Sequence, residues 1–232
     1  MKRKLVLFDI DGTILLTAGA GRRAILAALS EEVPDVGPMT QIRFDGKTDL
    51  QIVAEMLEMV GQREARDSAR VRALCQRYVG HLARELEQPR SKTTIMPGIP
   101  ELLDRLEDDP AVVLGLLTGN LEEGAALKLR SGGIDPARFR VGAYGSDAGH
   151  RPDLPPIATR RAAPLFGREP SGADVVIIGD TPADITCGSC IDARAVAVAT
   201  GSYSVADLAA CAPHAVFENL RDTDRVIEAI LC

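Results

Sequence analysis

The sequence predicts an α/β fold: a doubly wound parallel sheet with an α-helical insertion. Three observations carry this. Short apolar runs of strand length recur and end in polar, chemistry-bearing residues. From about Met96 these runs alternate with helical stretches of ordinary length, the pattern of a sheet covered on both faces. Residues 16–90 break the alternation, with helical periodicity and no convincing strand. A chain of 232 residues is long enough for one large domain or a core plus a small insert.

Residues 5–8 are continuously apolar, as in a strand buried on both faces. Asp9 and Asp11 therefore fall at its carboxyl end, where open parallel sheets bind ligands. Gly12 permits a tight turn and a close backbone approach. Helices are expected over 22–29, 50–60 and 66–86, with Gly19, Gly21, Pro89, Pro97 and Gly98 marking the two crossings into and out of the insertion. The expected division is a core of residues 1–16 and 93–232 and a helical insert of 17–92. Pro97-Gly98 opens a helix carrying Leu102, Leu103 and Leu106, and a strand follows at 112–117. Further helices are expected over 121–130, 154–166, 182–191 and 219–231, and strands over 140–144, 175–178, 195–199 and 215–217. Pro182 suits the first position of its helix.

The strand ends carry the chemistry. A carboxylate is already ionised at neutral pH and serves as nucleophile or Mg²⁺ ligand, whereas its neighbour serves as acid and base. Asp9 fits the first role and Asp11 the second. Thr118-Gly119-Asn120 supplies a hydroxyl, a flexible N–H and an amide at a helix start, either as an anion site or as an ordinary N-cap. Gly179-Asp180-Thr181-Pro182-Ala183-Asp184 repeats the strand-then-carboxylate pattern, with Asp180 the expected direct metal ligand and Asp184 its supporting partner. Arg151, beside Pro152 in a loop, either neutralises phosphate charge or is a solvated arginine.

Together these segments resemble the haloacid dehalogenase superfamily, specifically its phosphoglycolate-phosphatase-like phosphohydrolases. The resemblance spans nearly the whole chain and rests on D-I-D-G-T at 9–13, L-T-G-N at 117–120, Arg151 and G-D-T-P-A-D at 179–184. It implies a Rossmann-like core with a helical cap inserted after the first strand. It implies that Asp9 attacks phosphorus to form an aspartyl-phosphate, and that Asp11 protonates the leaving alkoxide and then activates water. Thr118 and Arg151 would hold phosphoryl oxygens, with Gly119 and Asn120 beside them, and Mg²⁺ would be held by Asp9, the Asp11 carbonyl and Asp180. The family's cation is more often lysine, a departure at Arg151. Substrate choice would lie in the cap, where Phe44 to Asp49 form a turn before a helix. Lys47 there either meets an anionic end of the substrate or lies in solvent, with Thr48 as N-cap.

Composition narrows the classes. A formal charge of -6 disfavours broad nucleic-acid or membrane binding, and 46% hydrophobic with 26% charged residues is ordinary globular usage. No apolar stretch approaches a membrane span, and the charged start Met1-Lys2-Arg3-Lys4 leads into too short an apolar run for a targeting segment, so a cytoplasmic monomer or homodimer is expected. Five cysteines make no disulfide framework, and Cys187-x-x-Cys190 is read as helix packing and not a redox or metal pair. The expected activity is Mg²⁺-dependent hydrolysis of a small phosphorylated metabolite. A phosphomutase of the β-phosphoglucomutase type would share the core, and a phospho-accepting signalling domain would need neither the insertion nor the second carboxylate.

Overall fold

The computed structural model describes residues 3–232; Met1 and Lys2, part of the charged start, lie outside the described residues. β1 (Lys4–Phe8) is the first apolar run, buried along its whole length. The chain then leaves the core through β2 (Leu15–Leu16), forms the helices α1 (Ala20–Ser30), α2 (Asp49–Met59) and α3 (Ser68–Leu86), and returns through β3 (Thr94–Ile95). β2 and β3 pair antiparallel, Leu15 opposite Ile95, so the two crossings are clamped together. The sequence predicts no strand here, because two residues are too few to show a period. Thr48 caps α2 by accepting the Gln51 N–H, and Asp67 caps α3 by accepting the Arg70 N–H.

Beyond the insertion come α4 (Ile99–Glu107), β4 (Val112–Thr118), α5 (Glu122–Ser131), β5 (Val141–Tyr144), α6 (Leu154–Phe166), β6 (Val175–Gly179), α7 (Pro182–Cys187), β7 (Arg194–Val198), α8 (Val205–Ala209), β8 (Ala215–Phe217) and α9 (Thr223–Leu231). Two boundaries differ from expectation by more than two residues. The helix expected over 182–191 ends at Cys187 and continues as a tighter 3₁₀ turn, Gly188–Ile191. The last helix starts at Thr223, where the Asp222 carboxylate accepts the Arg225 N–H. The five-residue α8, closed by a Ser204–Asp207 capping box, was not expected from the sequence.

Among the described residues the main sheet has the order β5-β4-β1-β6-β7-β8. All of its pairings are parallel. β1 is central: Leu5 stands opposite Val113 on one side and Val175 on the other. The chain winds one way from β1 to β4 and β5 and the other way to β6, β7 and β8. The crevice at the carboxyl end of β1 is thus the topological switch point where such sheets bind ligands. Side chains alternate across β1: Val6 and Phe8 pack with Leu102, Leu103, Val226 and Ile230, while Leu5 and Leu7 pack with Leu154, Ala158 and Ala162. The helices of the insertion share a third apolar cluster, including Ile25, Met56, Leu74 and Tyr78, joined from the sheet side by Leu121. No helix among the described residues is long and apolar enough to cross a membrane.

Candidate active site

Four strand ends meet over one cavity of about 300 Å³, lined by Asp9, Asp11, Thr118, Asn120, Lys128 and Arg151 among others. Asp9 continues the β1 ladder, donating its N–H to the Ile178 carbonyl at 2.9 Å, and its side chain is buried. The turn after it needs Gly12: φ is +88°, and a Cβ there would strike the Asp180 carboxylate. Thr13, fully buried, donates from its hydroxyl to Asp180 Oδ1 at 3.0 Å. The D-x-D-G-T turn and the carboxylate after β6 are therefore locked to each other.

Asp184 is fixed by the start of α7. The Thr181 N–H and hydroxyl donate to Asp184 Oδ2 at 3.0 and 2.6 Å, and the Asp184 N–H returns a bond to Thr181 Oγ1. Its other oxygen faces Arg151. The Arg151 side chain is only 5% exposed and pairs with Asp9 at 3.1 Å and with Asp184, which excludes the solvated-loop alternative. Arg151 Nε is buried without a hydrogen-bond partner, a donor left over inside the site.

Asp9, Asp180 and Asp184 bring carboxylate oxygens within 4.8 Å of one another. Burial raises the pKa of Asp9 and Asp180, and repulsion from neighbouring carboxylates raises both further. Arg151 offsets only part of this charge. Three buried carboxylates with one guanidinium among them form an all-oxygen donor set that suits a hard divalent cation. Asp11 is absent from this cluster: its carboxylate turns to the other side of the cavity.

There Lys128 Nζ donates to Asp11 Oδ1 and Oδ2 at 2.8 and 2.6 Å and to Asn120 Oδ1 at 2.6 Å. Asn120 Nδ2 donates to Asp11 Oδ2 and to Thr118 Oγ1, each at 2.8 Å. Asn120 thus links Thr118 to the Asp11 side of the cavity, and Lys128, which the sequence does not single out, joins them there. Its available signal is its place with Gly124, Ala125 and Leu129 on the buried side of α5, an unusual position for a cation.

The Phe44–Asp49 turn of the insertion seals the opposite wall. The Asp49 N–H donates to the Gly119 carbonyl at 2.8 Å, the Leu121 N–H donates to Asp49 Oδ2 at 2.9 Å, and the Thr48 hydroxyl donates to the Gly149 carbonyl. Gly119 is required by contact, since a Cβ would collide with the Lys47 carbonyl. Lys47 lines the cavity, but its ammonium is paired with Glu55. Arg22 also lines it, its guanidinium 4.0 Å over the Phe44 ring and bonded to the Thr40 and Ile42 carbonyls.

The profile of the haloacid dehalogenase-like hydrolase family matches residues 6–189, and the chain belongs to that family of enzymes. Its fold recurs in solved structures. A hydrolase from Pseudomonas syringae is 20% identical, with 98% of each chain covered and a TM-score of 0.71. A predicted phosphoglycolate phosphatase from Haemophilus somnus 129pt is 19% identical, covering 98% of this chain and 99% of that one, with a TM-score of 0.69. A β-phosphoglucomutase from Clostridium difficile is 16% identical, covering 99% and 97%, with a TM-score of 0.70. At such identities the likeness concerns the fold. No curated protein matches the chain.

Proposed function

We infer that the protein is a Mg²⁺-dependent phosphomonoesterase acting on a small phosphorylated metabolite. The observation that carries this reading is the division of labour at the end of β1. Asp9 faces Asp180, Asp184 and Arg151, whereas Asp11, two residues on, faces Lys128 and Asn120. One carboxylate is surrounded by groups suited to an anion and its metal, and the other by groups that orient a proton carrier. Two of the similar structures, a predicted phosphoglycolate phosphatase and a β-phosphoglucomutase, carry phosphoryl chemistry in their names, which supports this reading.

In this reading Asp9 attacks phosphorus, and the bond to the leaving oxygen breaks with its electron pair. Asp11 gives that oxygen a proton and later takes one from the water that hydrolyses the aspartyl-phosphate. The Thr118 hydroxyl and the Arg151 guanidinium hold phosphoryl oxygens, with the Gly119–Asn120 backbone beside them. Asp9, Asp180 and the Asp11 carbonyl would hold Mg²⁺, with Asp184 fixing Arg151 and joining the carboxylate set. A divalent cation bound there supplies charge neutralisation for the incoming phosphoryl group. Residues 17–92 act as a cap over the 1–16 and 93–232 core, excluding water and selecting the leaving group.

The test is phosphate release from a panel of phosphorylated metabolites with Mg²⁺, by the wild type and Asp9→Asn. Asp9→Asn should lose at least about a thousandfold in rate while keeping its circular dichroism and melting curve. Wild-type turnover by the variant would remove Asp9 as nucleophile. Transfer to a sugar-phosphate acceptor without free phosphate would move the activity to a mutase.

A further inference from the structure

Lys128 is buried to 5% exposure, sits two helical turns beyond the L-T-G-N loop, and belongs to none of the motifs that point to phosphoryl transfer. A buried ammonium is costly unless all its protons are engaged. Here its three contacts go to both Asp11 oxygens and to Asn120 Oδ1, and Asn120 returns a bond to Asp11 Oδ2. A carboxylate has about four acceptor positions. Oδ2 accepts two bonds and Oδ1 one, so the position left open for a reacting oxygen lies on Oδ1.

The surroundings explain why this post is rigid. Helices α1 and α2 of the insertion approach the ammonium. On α1, a Cβ at Gly21 would lie 3.5 Å from Lys128 Nζ and 3.7 Å from the Tyr78 hydroxyl of α3. On α2, the Asp49 carboxylate acts electrostatically on Lys128. The lysine head group is held against Asp11 by its bonds to both carboxylate oxygens and to Asn120. By contrast, the Asp11 side chain is 40% exposed, and the hydrogen bonds that hold its carboxylate come from Lys128 and Asn120.

We propose that Lys128 is a positioning residue that, with Asn120, clamps Asp11 so that Oδ1 alone meets the leaving oxygen of the substrate. This rests on the phosphomonoesterase reading and adds to it a residue acting through Asp11.

The test uses the full-length enzyme with Mg²⁺ and two substrates, an alkyl phosphate and 4-nitrophenyl phosphate. For each, kcat/KM reports the steps through transfer to Asp9. The alkyl ester needs proton donation to its leaving oxygen and the aryl ester hardly does. Lys128→Met should lower kcat/KM for the alkyl phosphate by about thirtyfold or more and leave the aryl phosphate within about threefold, because general acid catalysis contributes about 10²–10⁴. In an Asp11→Asn background, Lys128→Met should have no further effect on the alkyl ester, since its target is gone. That double variant removes the buried ammonium together with the carboxylate it pairs with, so it keeps the proposal testable should the single variant unfold. Equal losses on both substrates, no loss on either, or an additive loss in the Asp11→Asn background would overturn the proposal. Turnover surviving in Asp9→Asn would overturn the phosphatase reading and this proposal with it. Loss in Asp9→Asn beside an unaltered Lys128→Met overturns the role of Lys128 alone.

Discussion

The Asp49 carboxylate at the first turn of α2 accepts the backbone N–H of Leu121 at 2.9 Å, just where α5 begins. The Asp49 N–H meanwhile donates to Gly119. One residue of the insertion thus grips both sides of Asn120. Movement of the insertion is thereby tied to the loop that holds Thr118, Asn120 and Asp11.

Asp49 has a measurable signature. Burial raises its pKa from 3.8 to about 6, against the opposing pull of Lys128 and of the Leu121 N–H. The folded state then binds this proton more tightly than the unfolded state, so its contribution to stability falls as pH rises from about 4 through 6 and is level above. Asp49→Asn keeps an acceptor for Leu121 without the charge. The melting temperature of Asp49→Asn minus that of the wild type should rise across this window, by the equivalent of at most about 3 kcal/mol. Parallel melting curves from acid to neutral pH would contradict it.

Metal binding should release protons. Burial and mutual repulsion raise the pKa of Asp9 and Asp180, so a cation entering the Asp9–Asp180–Asp184 set displaces protons that these groups still hold near neutrality. Titration calorimetry with Mg²⁺ in two buffers of different ionisation enthalpy should give different apparent enthalpies. Affinity should rise with pH, and Asp180→Asn should lose most of it. Chelation should abolish turnover, with recovery on Mg²⁺ addition and inhibition by Ca²⁺, whose larger, looser oxygen shell fits in-line geometry poorly. Identical enthalpies in the two buffers would count against the protonated set.

Lys47 faces the cavity while paired with Glu55. If it meets a distal anion of the substrate, Lys47→Ala should lower kcat/KM for the best metabolite about ten- to a hundredfold and leave a small aryl phosphate nearly unchanged. Glu55→Gln, which frees the ammonium, should lower KM for the same metabolite. Equal effects on both substrates would assign Lys47 to the structure of the turn.

The apolar run of β1, the D-x-D-G-T turn and the G-D-T-P-A-D start of α7 are legible in sequence because their physics is local. A continuously apolar strand is buried on both faces, its carboxyl end is where a parallel sheet opens, and Thr181 with Asp184 closes a capping box within four residues. Arg151 was legible as a cation in the right loop. Its burial depended on Asp9 arriving from the end of β1 and Asp184 from the start of α7.

By itself, then, the sequence determined the α/β class, the helical insertion and the carboxylates that meet at the centre of the sheet. Tertiary structure decided which way each carboxylate faces. Asp9 and Asp11 are two residues apart, yet one joins Asp180 and Asp184 and the other joins Lys128 and Asn120. It also recruited Lys128 from α5 and Asp49 from α2, and it paired Lys47 with Glu55. No short-range pattern separates Asp49 and Lys47 from ordinary solvated charges, and for Lys128 only its helix face does. The difference is desolvation: packing the insertion over the sheet removes water from Lys128 and Asp49, and buried charges must then find partners within the site.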